Sequence, residues 1–234
     1  FGDNGEVRQI GGIGRDITDE KASADRMQVL IAELQHRTRN LMGVVRSMAD
    51  KTVQSSTDLN DFQHRFKDRL EALARIQGLL SQLHEGERVT FDQLIQSELS
   101  AHGVQEGVSH VTLTGPSGVR LRSTTVQTLS LALHELMTNA VKYGALKQPE
   151  AELAISWSVE HQGEGARPWM TIDWRERGVS LLPDGSHHHK RGQGRELMEK
   201  ALPYQLDAKT TYTFEEDGVH CTINIPVSAS NMDG

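Results

Sequence analysis

The feature that most constrains the fold is a long stretch in which apolar residues recur at every seventh position. From about residue 20 to residue 51 the chain has no proline and a single glycine, Gly43. A seven-residue repeat draws one apolar stripe along a helix, and that stripe needs a covering helix. We therefore predict a long helix with a coiled-coil-like seam, whose members are Met27, Leu30, Leu34, Leu41, Val44, Val45 and Met48.

A second helix is predicted directly after the first. The polar segment TVQSSTDLND interrupts the pattern, and a new apolar stripe then follows. Two helices joined by a short polar loop form an antiparallel hairpin. We assign residues 19–86 to this hairpin, with a second stripe made of Phe62, Phe66, Leu70, Leu73, Ile76, Leu80 and Leu83.

Beyond the segment HEGER, at 84–88, the pattern changes to alternating strands and helices. This alternation is typical of an α/β sandwich, so the fold class predicted for the whole chain is α+β. We assign residues 87–228 to the second domain and 229–234 to a tail. The predicted elements are a short strand near Val89, a helix at 92–101, strands at 108–114 and 119–121, a helix at 123–143 capped by Gly144, strands at 151–160 and 168–175, a loop at 177–192, a helix at 193–203 and a hairpin at 207–226.

Composition excludes several classes of protein. The 234 residues carry a net charge of −7, which argues against a general nucleic-acid or anionic-membrane surface. A single cysteine, Cys221, excludes an internal disulfide and suits a reducing cytoplasm, where we expect it to be a small hydrophobe of a strand. No apolar run approaches the roughly 20 residues that span a bilayer. Because the chain begins at Phe1 without a methionine, we expect a piece of a longer protein.

The helix predicted around ALHELMTNAVKYGAL, at 132–146, collects polar groups on one side. Glu135, Asn139 and Lys142 fall within about 60° of one another on a helical wheel, and Tyr143 lies at the border. A solvated face with an ordinary Glu–Lys pair explains this helix equally well. The opposite apolar face is formed by Leu129, Ala132, Leu133, Leu136, Met137 and Ala140.

A second polar element is the loop KRGQGREL. Gly192 and Gly194 flank Gln193 immediately before a predicted helix, whose free N–H groups favour an anion such as phosphate. A lone G-x-G is a weak signal. The strand IDWRERGV, which ends in a carboxylate and a glycine, lies between this loop and the polar helix.

Together these segments resemble the HWE subfamily of sensor histidine kinases. HELMTNAVKYGAL is similar to its N box and WRE to its following box, so that His134, Trp174 and Glu176 supply the three letters of the name. The resemblance implies a domain of the Bergerat or GHKL type, shared with gyrase, Hsp90 and MutL-type ATPases. It also implies ATP and Mg²⁺ as cofactors.

The resemblance implies roles for individual residues. Asn139 would coordinate Mg²⁺, which prefers few protein oxygens, and Glu135 would orient a water. Glu176 would accept a hydrogen bond from the adenine amino group, with Gly178 close by. Lys142 and Tyr143 would contact phosphate and nucleotide. The glycine loop with Gly192, Gln193, Gly194 and Arg195 would cover the phosphates, while Trp174 would shape the pocket or the core. We expect His134 to be structural, packing near the start of the polar stripe.

The segment HRTRN in the first helix resembles the phosphoacceptor box of the same subfamily. His36 points away from the apolar seam, Asn40 shares its face, and Arg37 and Arg39 add positive charge. The implied reaction is attack of a His36 imidazole nitrogen on the γ-phosphate of Mg-ATP, followed by transfer to an aspartate of a response-regulator receiver domain. Arg37 stands where larger kinase families place an acid, so the proton acceptor is not identified.

Other interpretations stay open at the level of sequence. Residues 1–18 resemble the last strand and exit of a PAS or LOV sensor module. The chain could instead be a phosphotransfer or scaffold protein with a non-catalytic ATP-like domain, or an ATPase or Ser/Thr kinase on the same fold.

A homodimer through the hairpin is expected, although the hairpin could also pack on its own chain as a monomer. The run His187, His188, His189 could bind Zn²⁺ or Ni²⁺, but a solvated lid is favoured.

Overall fold

The structure is a computed structural model that describes residues 16, 18–83, 87–104, 110–161, 167–180, 198–199 and 202–227. The chain divides into two compact units, residues 1–46 and residues 47–234. The boundary falls inside the first helix. We describe each unit by itself.

The predicted long helix is confirmed as α1, Thr18–Ser55. Asp16 caps its start, because the main-chain N–H of Thr18 donates to Asp16 Oδ1 over 2.9 Å. Among the seam residues whose side chains the structure describes, burial increases towards the end of the helix. Met48 is 5% exposed, whereas Met27 and Leu34 are 58% and 65% exposed. In the first unit these two seam residues are therefore open to a further covering surface.

The second helix, α2, spans Leu59–Ser81 and is capped by Asp58, which accepts from the Asp61 N–H. Its buried face contains Ala72, Leu73 and Ile76. Leu70, which we expected on this face, is 42% exposed. It lies about 110° around the helix from the centre of the buried face, and Arg69 takes the buried place instead.

The described residues after α2 form an α/β sandwich built on a five-stranded sheet, which confirms the predicted fold class. The strand order is β1-β2-β3-β5-β4, with β1 parallel to β2 and all other neighbours antiparallel. The elements are α3 Phe91–Ala101, β1 Val111–Thr114, α4 Ser123–Lys142, a 3₁₀ turn Ala145–Lys147, β2 Glu152–Glu160, β3 Trp169–Arg177, α5 Leu202–Leu206, β4 Lys209–Glu215 and β5 Gly218–Pro226.

Three predicted elements of this part of the chain differ from the structure. The strands predicted near Val89 and at 119–121 are absent, and only an isolated bridge joins Thr90 to Arg120. The reason is that Phe91 donates to the Val119 carbonyl and already begins α3, so the pairing cannot continue. The helix predicted at 193–203 lies mostly outside the described residues, and α5 continues beyond it to Leu206.

The core lies between α4 and the sheet. The six residues predicted to form the apolar face of α4 are all at most 1% exposed. Opposite them, Trp174 and Ile172 of β3 and Ile223 of β5 are fully buried. Cys221 is also buried, as expected for a strand hydrophobe, and burial raises the pKa of its thiol to about 12. Among the described helices none is long and apolar enough to cross a membrane.

Candidate functional site

The polar residues of α4 lie along its second half, where the helix approaches the end of β3. Glu135 and Asn139 are half-buried, whereas Lys142 and Tyr143 are exposed. Glu135 and Lys142 do not form the ordinary pair that a solvated face would show. Each contacts α2 instead: Glu135 contacts Arg69, and Lys142 Nζ lies 4.0 Å from Asp68 Oδ2.

Glu135 is held by a buried network that begins in the helical region. Arg69 Nε donates to Glu135 Oε1 over 2.6 Å, and Arg69 Nη1 donates to Thr52 Oγ1 over 2.8 Å. Thr52 in turn donates to the Met48 carbonyl. Sequence reasoning missed Arg69 because 66 residues separate it from Glu135. The only available signal was a charged residue on the buried side of α2.

We expect Arg69→Ala to destabilise this unit by about 3 kcal/mol or more, since removing one partner leaves a largely buried charge without its counterion. The side chains of Arg69 and Glu135 are only 10% and 16% exposed. Urea unfolding followed by circular dichroism measures the loss. Lys67→Ala is the matched control, because the Lys67–Glu71 pair is exposed and should contribute less than about 1 kcal/mol. Equal losses in the two variants would contradict the buried network.

Asn139 stands one turn after Glu135, and its side chain has no hydrogen bond within the described residues. Half-buried amides usually have a partner inside the protein or in water. The carbonyl oxygen of this amide is therefore available to a cation or to a water molecule that a cation holds.

Glu176 lies near the end of β3 and is only 2% exposed. Its Oε2 accepts from the Ala145 N–H over 2.8 Å, and its Oε1 accepts from Trp174 Nε1 over 3.1 Å. Burial raises the pKa of this carboxyl, while the two hydrogen bonds oppose the shift. Trp174, itself fully buried, therefore fixes the orientation of the carboxylate that the sequence marked as an adenine acceptor.

Gly144 joins α4 to this carboxylate. Its N–H donates to the Ala140 and Asn139 carbonyls and so ends the helix, as predicted, with a φ of −106°. The glycine is required for another reason. A Cβ on Gly144 would lie 1.8 Å from Glu176 Oε2. Gly178, two residues after Glu176, does take a left-handed φ of +69°.

The structure thus brings together one part of the predicted site. Gly144 lies against the Glu176 carboxylate where α4 ends beside β3, and its N–H donates to the main-chain carbonyl of Asn139. The glycine loop with Gly192, Gln193, Gly194 and Arg195 lies outside the described residues, as does the run His187–His189. His36, Arg37 and Asn40 lie within the backbone of α1, but their side chains are outside what the structure describes.

His134 lies on the buried side of α4, only 6% exposed. Its Nδ1 is 3.3 Å from Oε2 of Glu98 on α3. The ring of His102, which caps the end of α3, packs 5.2 Å from the His134 ring, and burial lowers the pKa of His102. Sequence reasoning missed Glu98 and His102, although their four-residue spacing on one helix was a local signal.

Comparison with known proteins agrees with the resemblance seen in the sequence. Residues 33–117 match the family model described as HWE histidine kinase. Blue-light-activated histidine kinase 1 of Erythrobacter litoralis is 30% identical over 231 residues, which cover 97% of this chain and 62% of that protein. The blue-light-activated histidine kinase of Brucella anthropi is 32% identical over 219 residues, which cover 93% of this chain and 43% of that protein. The chain therefore spans about half the length of these relatives.

Solved structures of histidine kinases also align with the chain. The Erythrobacter litoralis EL346 blue-light activated histidine kinase gives a TM-score of 0.48 at 18% identity, covering 84% of this chain and 62% of that one. The histidine kinase domain of the same protein gives 0.46 at 16% identity, covering 88% and 94%.

The helical region followed by an α/β sandwich, with this polar helix, is therefore similar to proteins named as histidine kinases. Within that class, residues 33–117 carry the likeness to the HWE histidine kinase family.

Proposed function

We propose that the chain is an ATP-dependent protein-histidine kinase that phosphorylates its own His36 and passes the phosphate to an aspartate of a response-regulator receiver domain. The observation that carries the proposal is a buried, oriented Glu176 that lies against Gly144 at the end of α4, the helix that also carries Asn139. The family-model match supports it independently, because that match includes His36.

Glu176 suits the recognition of adenine. Each of its carboxylate oxygens already accepts one protein hydrogen bond, from Ala145 or from Trp174, and each keeps a further lone pair. An exocyclic amino group is a donor and can use that lone pair. Gly144 allows α4 to approach the carboxylate closely, while the buried Trp174 holds the carboxylate in place.

Asn139 suits Mg²⁺, since a neutral amide oxygen leaves the other coordination positions to water and phosphate oxygens. Bound there, Mg²⁺ would neutralise charge on the phosphates of ATP. Lys142 and Tyr143 follow on the exposed end of the helix, and we assign them to phosphate and nucleotide contact. Gly192, Gln193, Gly194 and Arg195 are proposed to cover the phosphates, and His134 to support α4 from its buried side.

In the proposed reaction a neutral imidazole nitrogen of His36 forms a bond to the γ-phosphorus, and the bond from that phosphorus to the bridging oxygen breaks, releasing ADP. An imidazole with a pKa near 6.5 is largely neutral at pH 7 and needs little activation. Glu135 is proposed to orient a water near the phosphates. Its carboxylate keeps Oε2 for that purpose, because Arg69 engages Oε1. Arg37 and Asn40 flank the nucleophile in sequence.

Incubation with γ-labelled ATP and Mg²⁺ tests the proposal. We expect an acid-labile, alkali-stable label that His36→Ala removes completely, because a phosphoramidate is stable only in alkali. His64→Ala, an exposed histidine of α2, is the matched control and should label normally. A label that survives His36→Ala refutes the assignment. A wild-type protein that takes phosphate from a receiver domain but never from ATP would favour the phosphotransfer alternative.

The same proposal includes partners. The exposed apolar residues Met27 and Leu34 on α1 support a homodimer through the helical region, which light scattering would distinguish from a monomer.

We propose a cytoplasmic location and control of His36 by a PAS or LOV sensor whose exit is residues 1–18. The names of the Erythrobacter and Brucella relatives, which are blue-light-activated kinases, support a light sensor.

A further inference from the structure

We propose that Glu98, His102 and His134 form a binding site for a divalent transition-metal ion, best suited to Zn²⁺, between α3 and α4. We call these three residues the α3–α4 cluster. Each offers one ligand atom, and these atoms all lie within 4.8 Å of one another. The cluster is separate from the proposed nucleotide site, because His134 lies on the buried side of α4 and Asn139 on its polar stripe.

His102 is already arranged as a metal ligand. Its Nδ1 lies 2.9 Å from the main-chain carbonyl oxygen of Glu98. A carbonyl oxygen can only accept, so Nδ1 carries the proton and Nε2 keeps its lone pair. Histidines that bind metals typically donate their other ring N–H to a carbonyl or carboxylate in this way. Nε2 faces Thr138 Oγ1 at 3.4 Å, a long contact that an ion can replace.

Glu98 supplies the second observation. Its side chain is fully buried, and its Oε1 has no hydrogen-bond partner in the described part of the chain. The contacts of Oε2 are long for a charged group: 3.3 Å to His134 Nδ1 and 3.4 Å to Arg75 Nη2. A buried carboxylate with one oxygen unpaired is costly, and a bound cation would satisfy it. Arg75 would then serve as an outer hydrogen-bond donor to the ligating carboxylate.

The donor set selects the class of ion. Two imidazoles and one carboxylate suit Zn²⁺, with water in the fourth position, whereas Mg²⁺ and Ca²⁺ prefer oxygen ligands throughout. A bound ion would tie the end of α3 to the middle of α4. His134 directly precedes Glu135 on that helix, so occupancy of the cluster would fix the helix that carries the proposed catalytic stripe.

Zn²⁺ binding must be measured without interference from the run His187–His189, which is a second source of imidazole ligands. The background protein is therefore a tag-free chain in which all three of these histidines are alanine. Isothermal titration with Zn²⁺, and the visible spectrum of Co²⁺ as a substitute, report stoichiometry and ligand geometry without reference to kinase activity. We expect one ion per chain, a four-coordinate Co²⁺ spectrum and no response to Mg²⁺.

His102→Ala in this background should weaken Zn²⁺ binding at least about 100-fold, because a ligand is lost. His102 is half-exposed at the end of a helix, so the variant should fold. Glu98→Gln should weaken binding similarly, and His161→Ala, an exposed histidine, should have no effect. Zn²⁺ should also raise the melting temperature of the background protein but not of His102→Ala. Absence of saturable binding in the background protein, or binding unchanged by both substitutions, would overturn the proposal.

Discussion

Asn139→Ala is expected to reduce ATP-dependent labelling of His36 at least about 100-fold, because it removes the side-chain oxygen that we assign to Mg²⁺. The fold should be unaffected. The Asn139 side chain makes no hydrogen bond to the described residues, so alanine leaves no buried group unpaired. Alanine is also the better helix former at this position near the end of α4.

The initial rate of acid-labile label at saturating ATP measures this effect, and the melting temperature checks the fold in the same preparation. Gln96→Ala is the matched control, since it removes an exposed side-chain amide from α3. Excess Mg²⁺ should rescue part of the lost rate if only the affinity for the ion has fallen. An unchanged rate in Asn139→Ala would mean that the polar stripe of α4 is a solvated face.

Periodicity in the sequence predicted the parts of the fold that depend on which side of an element is apolar. The buried face of α4 is an example, since every residue assigned to it from Leu129 to Ala140 is in the core. The hairpin predicted at 207–226 is confirmed as β4 and β5 for the same reason. Residues 119–121 show the limit of this reasoning. Their pattern is that of a strand, but the start of α3 at Phe91 removes their pairing partner.

Periodicity does not reveal which element covers a given face. Glu135 and Arg69 are far apart in sequence, and only the packing of α2 on α4 brings them together. The α3–α4 cluster is similar, because Glu98 and His102 share a helix while His134 comes from the next one. A sequence motif can therefore predict Glu135 and Asn139 as site residues. It cannot predict Arg69 or Glu98, because their positions depend on contacts between elements.

The sequence correctly singles out Gly144, but the structural reason for a glycine at this position differs from the expected one. The sequence suggested only a helix cap, whereas the structure also shows a close approach between α4 and Glu176. The Glu176 main chain cannot easily withdraw. Gly218 packs against it from β5, where a Cβ would lie 2.0 Å from the Glu176 carbonyl oxygen. The carboxylate is thus confined by Gly144 on one side, and its backbone is confined by Gly218 on the other.

Gly144→Ala should therefore both destabilise the domain and impair nucleotide binding. The new Cβ would lie 1.8 Å from Glu176 Oε2 and 3.0 Å from the Ala140 Cα, so either the carboxylate or the end of α4 must move. Overpacking of this kind costs about 1–3 kcal/mol. A displaced carboxylate also loses the Ala145 or Trp174 hydrogen bond that orients it, so the affinity for a fluorescent ATP analogue should fall about tenfold or more.

Gly78→Ala provides the matched control for this substitution. Gly78 lies in α2, and a Cβ there would meet nothing within 4 Å. Alanine should raise stability by up to about 1 kcal/mol, since it is the better helix former, and should leave nucleotide affinity unchanged. Urea unfolding distinguishes the loss of stability expected for Gly144→Ala from the gain expected for Gly78→Ala. If Gly144→Ala proved as harmless as Gly78→Ala, the close contact with Glu176 would be wrong. If Gly144→Ala lost stability but kept its nucleotide affinity, the contact would be structural only, and the adenine acceptor would have to be sought in another residue.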